Sequence, residues 1–404
     1  MKLVVQVKLL PTPSQASALA STLHACNQAA SWVAESAFKQ KTFRNFDLRK
    51  HTYNEVKARW GLGAQAAQHV IKKVADAYTA LLANSRAGNL GRPGSARHRR
   101  STEKPLAFRA TAAQPYDDRM LSWQTDARTV SIWTTAGRLK GMSYTGSPTQ
   151  LEMIAAHRRG ESDLIHRDGS WYLAATCDVP EALPNAQPVD FLGVDLGIVN
   201  IATTSDGEIM AGRRLNRLRK RNRDVRTKLQ RKGTKSAKRR IQRRRRKEAR
   251  RTRDVNHKIA KHIVAEAERT GRGIGLENLT GIRERVRLRK PQRAMVHTWA
   301  FAQLGDFIAY KARRAGVPVV YVDPAYTSRT CSECGHVDKA NRVSQARFAC
   351  RSCGFVDHAD RNGSRNIRAR ARMLWRAGPS HRPQPSRTSG TAGRGRHTTA
   401  GDAP

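Results

Sequence analysis

Two cysteine pairs, Cys331-x2-Cys334 and Cys350-x2-Cys353, constrain this chain more than any other feature. Fifteen residues separate the pairs, inside the window of a four-cysteine zinc ribbon. Each Cys-x2-Cys sets two thiolates on one tight knuckle, and two knuckles together make a closed tetrahedral Zn2+ site. Gly335 and Gly354 directly follow the pairs, where the knuckle turn asks for a residue tolerant of positive φ. Four thiolates leave no open coordination position, so the Zn2+ is expected to be structural. Arg329, Lys339, Arg342, Arg347 and Arg351 decorate this segment. The other two cysteines, Cys26 and Cys177, stand far apart in apolar surroundings and read as buried thiols, which suits a reducing compartment.

Charge narrows the partner. The 404 residues carry 76 Lys and Arg against 32 Asp and Glu, a net charge of +44. An imbalance of that size says nothing about fold but favours a polyanion, and phosphate backbones are the usual one through counterion release. Composition does not distinguish RNA from DNA. The excess is concentrated in residues 213–261, and over 213–253 more than half the residues are Lys or Arg. That run builds no core; it reads as two helices joined near Gly233-Thr234, or as an arm that orders on phosphate. No apolar stretch approaches the roughly 18 residues that span a bilayer. The opening MKLVVQVKLLPTP is broken by Lys8 and closed by two prolines, so it is not a signal peptide. No membrane partner is expected, and the localisation is read as cytoplasmic, with nucleic acid.

Periodicity divides the chain. Residues 2–10 read as a strand, ended by Pro11-Thr12-Pro13, after which Ser14 is the expected N-cap of a helix. Leu19, Leu23, Cys26, Ala30, Val33 and Ala37 recur at helical spacing, as do Val70, Val74, Ala77 and Leu81, so residues 14–84 are expected to be mainly helical. Residues 85–105 form a basic Gly/Pro-rich connector. From 106 to 180 short β-like runs take over, with Asp168-Gly169 as a hairpin turn between Asp163–His166 and Trp171–Cys177. Beyond the proline-marked linker Glu181–Pro188, apolar runs at Phe191–Val194, Ile198–Thr203, Ile274–Leu276 and Val317–Val322 read as strands. Trp299–Ala315 reads as a helix, as does the segment from Asp360, with Ile367, Ala371 and Leu374 on one face. The tail, 377–404, has almost no apolar content and is expected to be disordered.

Three carboxylates end apolar runs: Asp195 in FLGVDLGIVNIATT, Glu277 in GIGLENLTGI and Asp360 in DHADRNGSRNI. Singly, each is more often structural than catalytic. Together they matter, because an unpaired charge in such surroundings is costly unless a cation compensates it. Oxygen ligands favour Mg2+ or Mn2+, and two such ions about 4 Å apart suit phosphodiester hydrolysis. Asp357 competes with Asp360 for the third position, and the residues alone prefer neither. The chain has no Gly-x4-Gly-Lys-Ser/Thr loop, which argues against ATP hydrolysis.

The segments GVDLGIVNIAT, GLENLTGI, VDPAYTSRTCSECGHVDKANRVSQARFACRSCGF and ADRNGSRNI, with KLLPTPSQ near the start, resemble the TnpB (OrfB) family of insertion-sequence transposon proteins, related to compact type V CRISPR effectors. The resemblance implies an α+β multidomain fold: a wedge-type β-barrel split over 1–13 and 106–182, a helical recognition insert with basic linker at 14–105, and a RuvC-like, RNase H-like α/β nuclease domain at 188–376 with the zinc ribbon insert at 325–356. It implies Asp195, Glu277 and Asp360 as the catalytic Mg2+ or Mn2+ triad, choosing Asp360 over Asp357 through its Ala-Asp-x-Asn motif. Asn362, Arg365 and Asn366 share that segment as support. It further implies a guide RNA derived from the transposon and a DNA target. The activity expected is therefore RNA-guided DNA cleavage. A non-cleaving regulator of transposition and a transposase that performs strand transfer itself are the alternatives.

Overall fold

A computed structural model describes residues 1–279 and 301–378. The tail expectation for 377–404 and the helix start at Trp299 therefore lie outside the described residues, apart from Ala377 and Gly378. The chain is α+β and divides into two compact units, Met1–Val179 and the described residues from Pro180 onward.

The first unit contains β1 (Lys2–Leu9), α1 (Pro13–Gln40), α2 (Asn45–Trp60), α3 (Ala64–Arg86), α4 (Ala96–Thr102), β2 (Gln114–Tyr116), β3 (Leu121–Gln124), β4 (Thr129–Thr134), β5 (Gly137–Thr145), α5 (Pro148–His157), β6 (Arg158–Arg167) and β7 (Ser170–Asp178). Its antiparallel sheet runs β2-β6-β7-β1-β5-β4-β3 and is nearly closed, like a barrel. Strand β1 pairs along all of β7, from Lys2 opposite Asp178 to Leu9 opposite Trp171. The β6–β7 turn places Asp168 and Gly169 at φ 51 and 74°, the positive values a two-residue hairpin needs.

Three local expectations are corrected. The N-cap of α1 is Thr12 rather than Ser14: its hydroxyl accepts from the Gln15 N–H, the Gln15 side chain returns a bond to the Thr12 N–H, and Pro13 takes the first helical position. The connector 85–105 contains the short helix α4, capped by Ser95. Helix α5 interrupts the β region, opened by the capping box of Ser147 and Gln150.

The second unit contains β8 (Phe191–Asp195), β9 (Asn200–Thr204), β10 (Ile209–Ala211), α6 (Arg213–Lys232), α7 (Lys235–Arg269), β11 (Gly273–Glu277), α8 (Phe301–Arg314), β12 (Val319–Val322), β13 (Arg347–Ala349), β14 (Val356–His358) and α9 (Ala359–Arg376). Its five-stranded sheet runs β10-β9-β8-β11-β12. Strands β8, β11 and β12 are parallel, and β9 and β10 are antiparallel to their neighbours.

Side-chain alternation assigns the two faces of this sheet. Leu192, Val194, Ile274 and Leu276 pack with Ala260, Ile263 and Val264 of α7 and Leu304, Ile308 and Ala312 of α8. Phe191, Val320 and Val322 pack on the other side with Ile367 and Ala371 of α9. Two glycines let α9 come close. A Cβ on Gly193 would lie 2.0 Å from the Ser364 carbonyl oxygen, and one on Gly275 would lie 2.8 Å from the Ala371 Cβ. The backbone of α9 therefore rests almost directly on β8 and β11.

Candidate carboxylate site and metal centre

Register brings the first two carboxylates together. Gly275 pairs with Gly193 and Leu276 with Val194, so the next residues, Glu277 and Asp195, end adjacent parallel strands side by side. Both lie two positions beyond a glycine that faces α9, so both point to the α9 side. The third, Asp360, occupies the first turn of α9. All three are half-buried.

Each acid has different surroundings. Asp360 accepts from the Asn200 Nδ2 at 2.9 Å, and an Arg342 Nη2 stands 3.5 Å from its other oxygen. Glu277 accepts from the Thr327 hydroxyl at 2.6 Å. No hydrogen-bond donor reaches Asp195 among the described residues. Burial, reinforced by the Glu277 and Asp360 carboxylates, pushes Asp195 well above the usual carboxylate range, and Arg342 opposes the rise. Burial also raises Glu277, while the Thr327 hydroxyl, Arg370 and Arg342 hold it down. A pocket of oxygen donors that disfavours its own negative charge is chemically suited to a hard divalent cation. Oxygen donors of this kind suit Mg2+ or Mn2+ by their chemistry, but the three carboxylates do not all bring an oxygen within 4.8 Å of one another.

Asp357 does not join them. It faces Arg361 at 3.5 Å and Arg365 at 3.4 Å, and it is not among the charges that act on Asp195. Arg365 also faces Glu333, at 3.6 Å. Asn362 and Asn366 hold the segment that leads into the first cysteine pair: Asn362 accepts from the Ser332 N–H and donates to the Thr330 carbonyl, and Asn366 donates to the carbonyls of Thr327 and Thr330. Arg342, Asn200 and Thr327 are the partners that the sequence did not disclose. Arg342 read as one of five basic residues decorating the ribbon, and no spacing rule links any of these residues to an acid.

The cysteines form a tighter group. Cys331, Cys334, Cys350 and Cys353 place their sulfurs within 4.8 Å of one another, and among the described residues they are the one such cluster of three or more potential ligands. The Cys331–Cys353 and Cys334–Cys350 sulfurs are 3.7 and 3.6 Å apart. Tetrahedral Zn–S bonds of about 2.3 Å imply sulfur separations of about 3.8 Å, whereas a disulfide needs about 2.05 Å. The four thiols thus fit Zn2+. Gly335 and Gly354 adopt φ of 75 and 74°. The Cys353 backbone N–H, 3.5 Å from the Cys350 sulfur, helps bring that thiol down to about 6, while burial pushes Cys331 up and the neighbouring thiols push Cys353 up.

The basic segment folds as two helices, with Gly233 in the left-handed region closing α6 and Thr234 capping α7. Only Leu215 and Leu229 of α6 are buried, while α7 buries Ala260, Ile263, Val264 and Ala267 in its second half. Arg217, Lys220, Arg221 and Lys228 line a recess of about 290 Å³ along α6, together with Asp224 and Val225. Among the described residues no helix is long and apolar enough to cross a membrane.

The chain thus combines a barrel-like unit with a mixed sheet ending in paired acids and a four-thiol cluster able to hold a metal. Comparison with known proteins makes this more specific. Residues 174–280 match the OrfB_IS605 family model, described as "Probable transposase", and residues 301–367 match the Cas12f1-like, TNB domain model. Those two matches bear out the resemblance to TnpB (OrfB) proteins. A CRISPR-associated endodeoxyribonuclease Cas12f1 of Syntrophomonas palmitatica is 32% identical over 203 residues, which are 45% of this chain and 39% of the relative. A TnpB-like protein of Methanocaldococcus jannaschii is 41% identical over 87 residues, covering 21% of this chain and 31% of the relative. The chain thus spans well under half the length of either. A solved Cas12f1–sgRNA–target DNA complex shares the fold, with TM-score 0.54 and 14% identity over 86% of this chain and 82% of that one.

Proposed function

We propose that this chain is an RNA-guided DNA endonuclease of transposon origin, with a RuvC-like nuclease domain over 188–376 and Asp195, Glu277 and Asp360 as its catalytic acids. The observation that carries the reading is the register of β8 and β11, which sets Asp195 beside Glu277 next to the first turn of α9. The relatives support the partners: one is named an endodeoxyribonuclease, and the similar structure is a complex with guide RNA and target DNA. The split barrel, 1–13 with 106–182, and the helical insert 14–105 would be the wedge and recognition parts, and 325–356 the structural zinc ribbon.

In this reading Asp195, Glu277 and Asp360 would hold Mg2+ or Mn2+, which when bound would supply Lewis-acid chemistry towards the scissile phosphate. The chain's own groups prepare that site. Asn200 fixes the Asp360 carboxylate and Thr327 fixes that of Glu277. Burial and its two acidic neighbours disfavour a charged Asp195, and a cation held there would favour its carboxylate form. The α6 cations would hold the strand by its phosphates.

The test is to purify the protein with its RNA, sequence that RNA, and challenge the particle with a plasmid library carrying the matching target. Mg2+-dependent cleavage next to a fixed short motif is expected. Asp195→Ala should retain the RNA and lose the cut. Undiminished cleavage by Asp195→Ala would refute the assigned site, and RNA-dependent binding without any cut would favour a non-cleaving regulator.

A further inference from the structure

Away from the carboxylates, the outer face of α1 carries a second built site. His24, Gln28, Trp32 and Glu35 line a recess of about 370 Å³ that Trp60 and Phe108 complete. The indoles of Trp32 and Trp60 stand 5.7 Å apart at 49°, with the Arg59 guanidinium 5.6 Å from one ring and 5.8 Å from the other. The Lys73 ammonium lies 5.1 Å from the Phe108 ring centre.

Buried polar groups fix these walls. The chain around Phe108 has no regular secondary structure, yet Ser31 accepts from the Phe108 N–H at 3.0 Å. Asn27, 1% exposed, donates to the carbonyls of Ala110 and Ala112 at 3.1 and 2.9 Å. Lys73 in turn donates to the Asn27 Oδ1 at 2.6 Å. The Phe108 segment is thereby tied to α1 before any ligand arrives.

We infer that this recess takes one unpaired nucleobase, guanine by preference, from a single-stranded stretch of nucleic acid. The inference rests on the nucleic-acid reading above and adds a subsite to it. Aromatic walls stack any base, and a neighbouring guanidinium adds cation–π attraction. The volume lies at the low end of ligand pockets, which run from about 300 to 1,000 Å³, so it suits a base and not a duplex. Glu35 supplies the selection. In a chain of net charge +44, this exposed carboxylate makes no ion pair among the described residues. It repels phosphate and accepts N–H groups. Guanine presents N1–H and an N2 amino group in parallel, matching both carboxylate oxygens, whereas adenine and cytosine offer a single amino group on that edge. Gln28 can meet the guanine O6.

The test uses the full-length chain and fluorescent heptamers, rU3-G-U3 and dT3-G-dT3, with the central G also replaced by A, by C or by an abasic residue. Guanine should bind roughly ten- to hundredfold more tightly than the abasic heptamer, the range of one base–aromatic stack. Whichever sugar shows the larger increment identifies the strand. Glu35→Gln, an exposed change, should erase the preference for G over A, and by removing a charge that repels phosphate it should bind the abasic heptamers no more weakly than the wild type does. Trp32→Ala should remove the increment for every base, and Trp32→Phe should keep most of it if the alanine variant folds poorly. Equal affinities for the G and abasic heptamers would overturn the subsite alone, and tighter binding of A or C would overturn the guanine assignment. Failure of even the abasic heptamers to bind would overturn the nucleic-acid reading and this proposal with it.

Discussion

Gly363→Ala separates the carboxylate geometry from the fold. Gly363 is buried inside α9, and a Cβ there would lie 3.3 Å from an Asp195 carboxylate oxygen and 3.8 Å from its Cγ. Within a helix, alanine is favoured over glycine by about 0.8–1.0 kcal/mol. Against this, the Asp195 carboxylate must retreat by a few tenths of an ångström, at a cost of similar size. Stability should therefore stay within about 1 kcal/mol of wild type, a midpoint shift of no more than about 2–4 °C for a unit of this size. Cleavage should respond more. A misplacement of about 1 Å at a reacting group can cost about a hundredfold, so a few tenths predict roughly a three- to tenfold slower cut. Single-turnover plasmid cleavage with the RNA-loaded protein, beside thermal melting of the same samples, measures both. A wild-type cleavage rate with an unchanged melt would refute the claim that Asp195 must hold its position. A destabilisation above about 3 kcal/mol would refute the claim that the added methyl meets only a side chain.

Gly193→Ala is the contrasting case: its Cβ would meet the Ser364 carbonyl oxygen at 2.0 Å and the Arg368 amide nitrogen at 2.6 Å, both backbone atoms. A loss of about 3 kcal/mol or more in urea unfolding is expected. Elemental analysis should find one zinc per chain, and Cys350→Ser should lose it and lower the melting temperature. In metal-free buffer at neutral pH, Asp195→Asn should melt above the wild type. The folded-state pKa of Asp195 is raised over its unfolded value, so the wild type loses stability as pH climbs from the unfolded pKa to the folded one. The two melts should therefore converge in acid, below about pH 3.9, and a gap that widens there would contradict the sign.

How much of this was legible in the sequence depended on whether a residue's role is local. Asp195 and Glu277 showed themselves because each ends an apolar run, and the parallel pairing of those runs then set them side by side. The cysteine knuckles carry their geometry in their spacing. The capping box of Thr12 and Gln15 lies two residues before Ser14, the N-cap expected from the sequence, because Pro11 and Pro13 drew the boundary past it. Helices α4 and α5 escaped because periodicity needs a buried face: α4 buries nothing and α5 buries only Ile154. Asn200 and Asp360 lie 160 residues apart, and no local pattern can pair them. Gly193 and Gly275 carry no signal of their own within apolar strands, since the helix that needs their bareness comes at the far end of the chain.

The packing of α9 also explains how three like charges can be kept together. Their mutual repulsion would spread them if side chains alone held them. Here the backbone holds them: β8 and β11 share a register, and α9 is pressed onto both strands at glycines, so none of the three elements can drift without breaking close contacts. The same helix reaches the ribbon, because Asn362 and Asn366 clamp residues 327–332. That clamp delivers the Thr327 hydroxyl to Glu277, and the ribbon itself delivers Arg342 to Asp360. Two of the groups that moderate the acids, Thr327 and Arg342, thus lie in the segment that carries the four clustered cysteines. Zinc removal is accordingly expected to abolish cleavage at temperatures where the five-stranded sheet, which draws its core from α7, α8 and α9, is still folded.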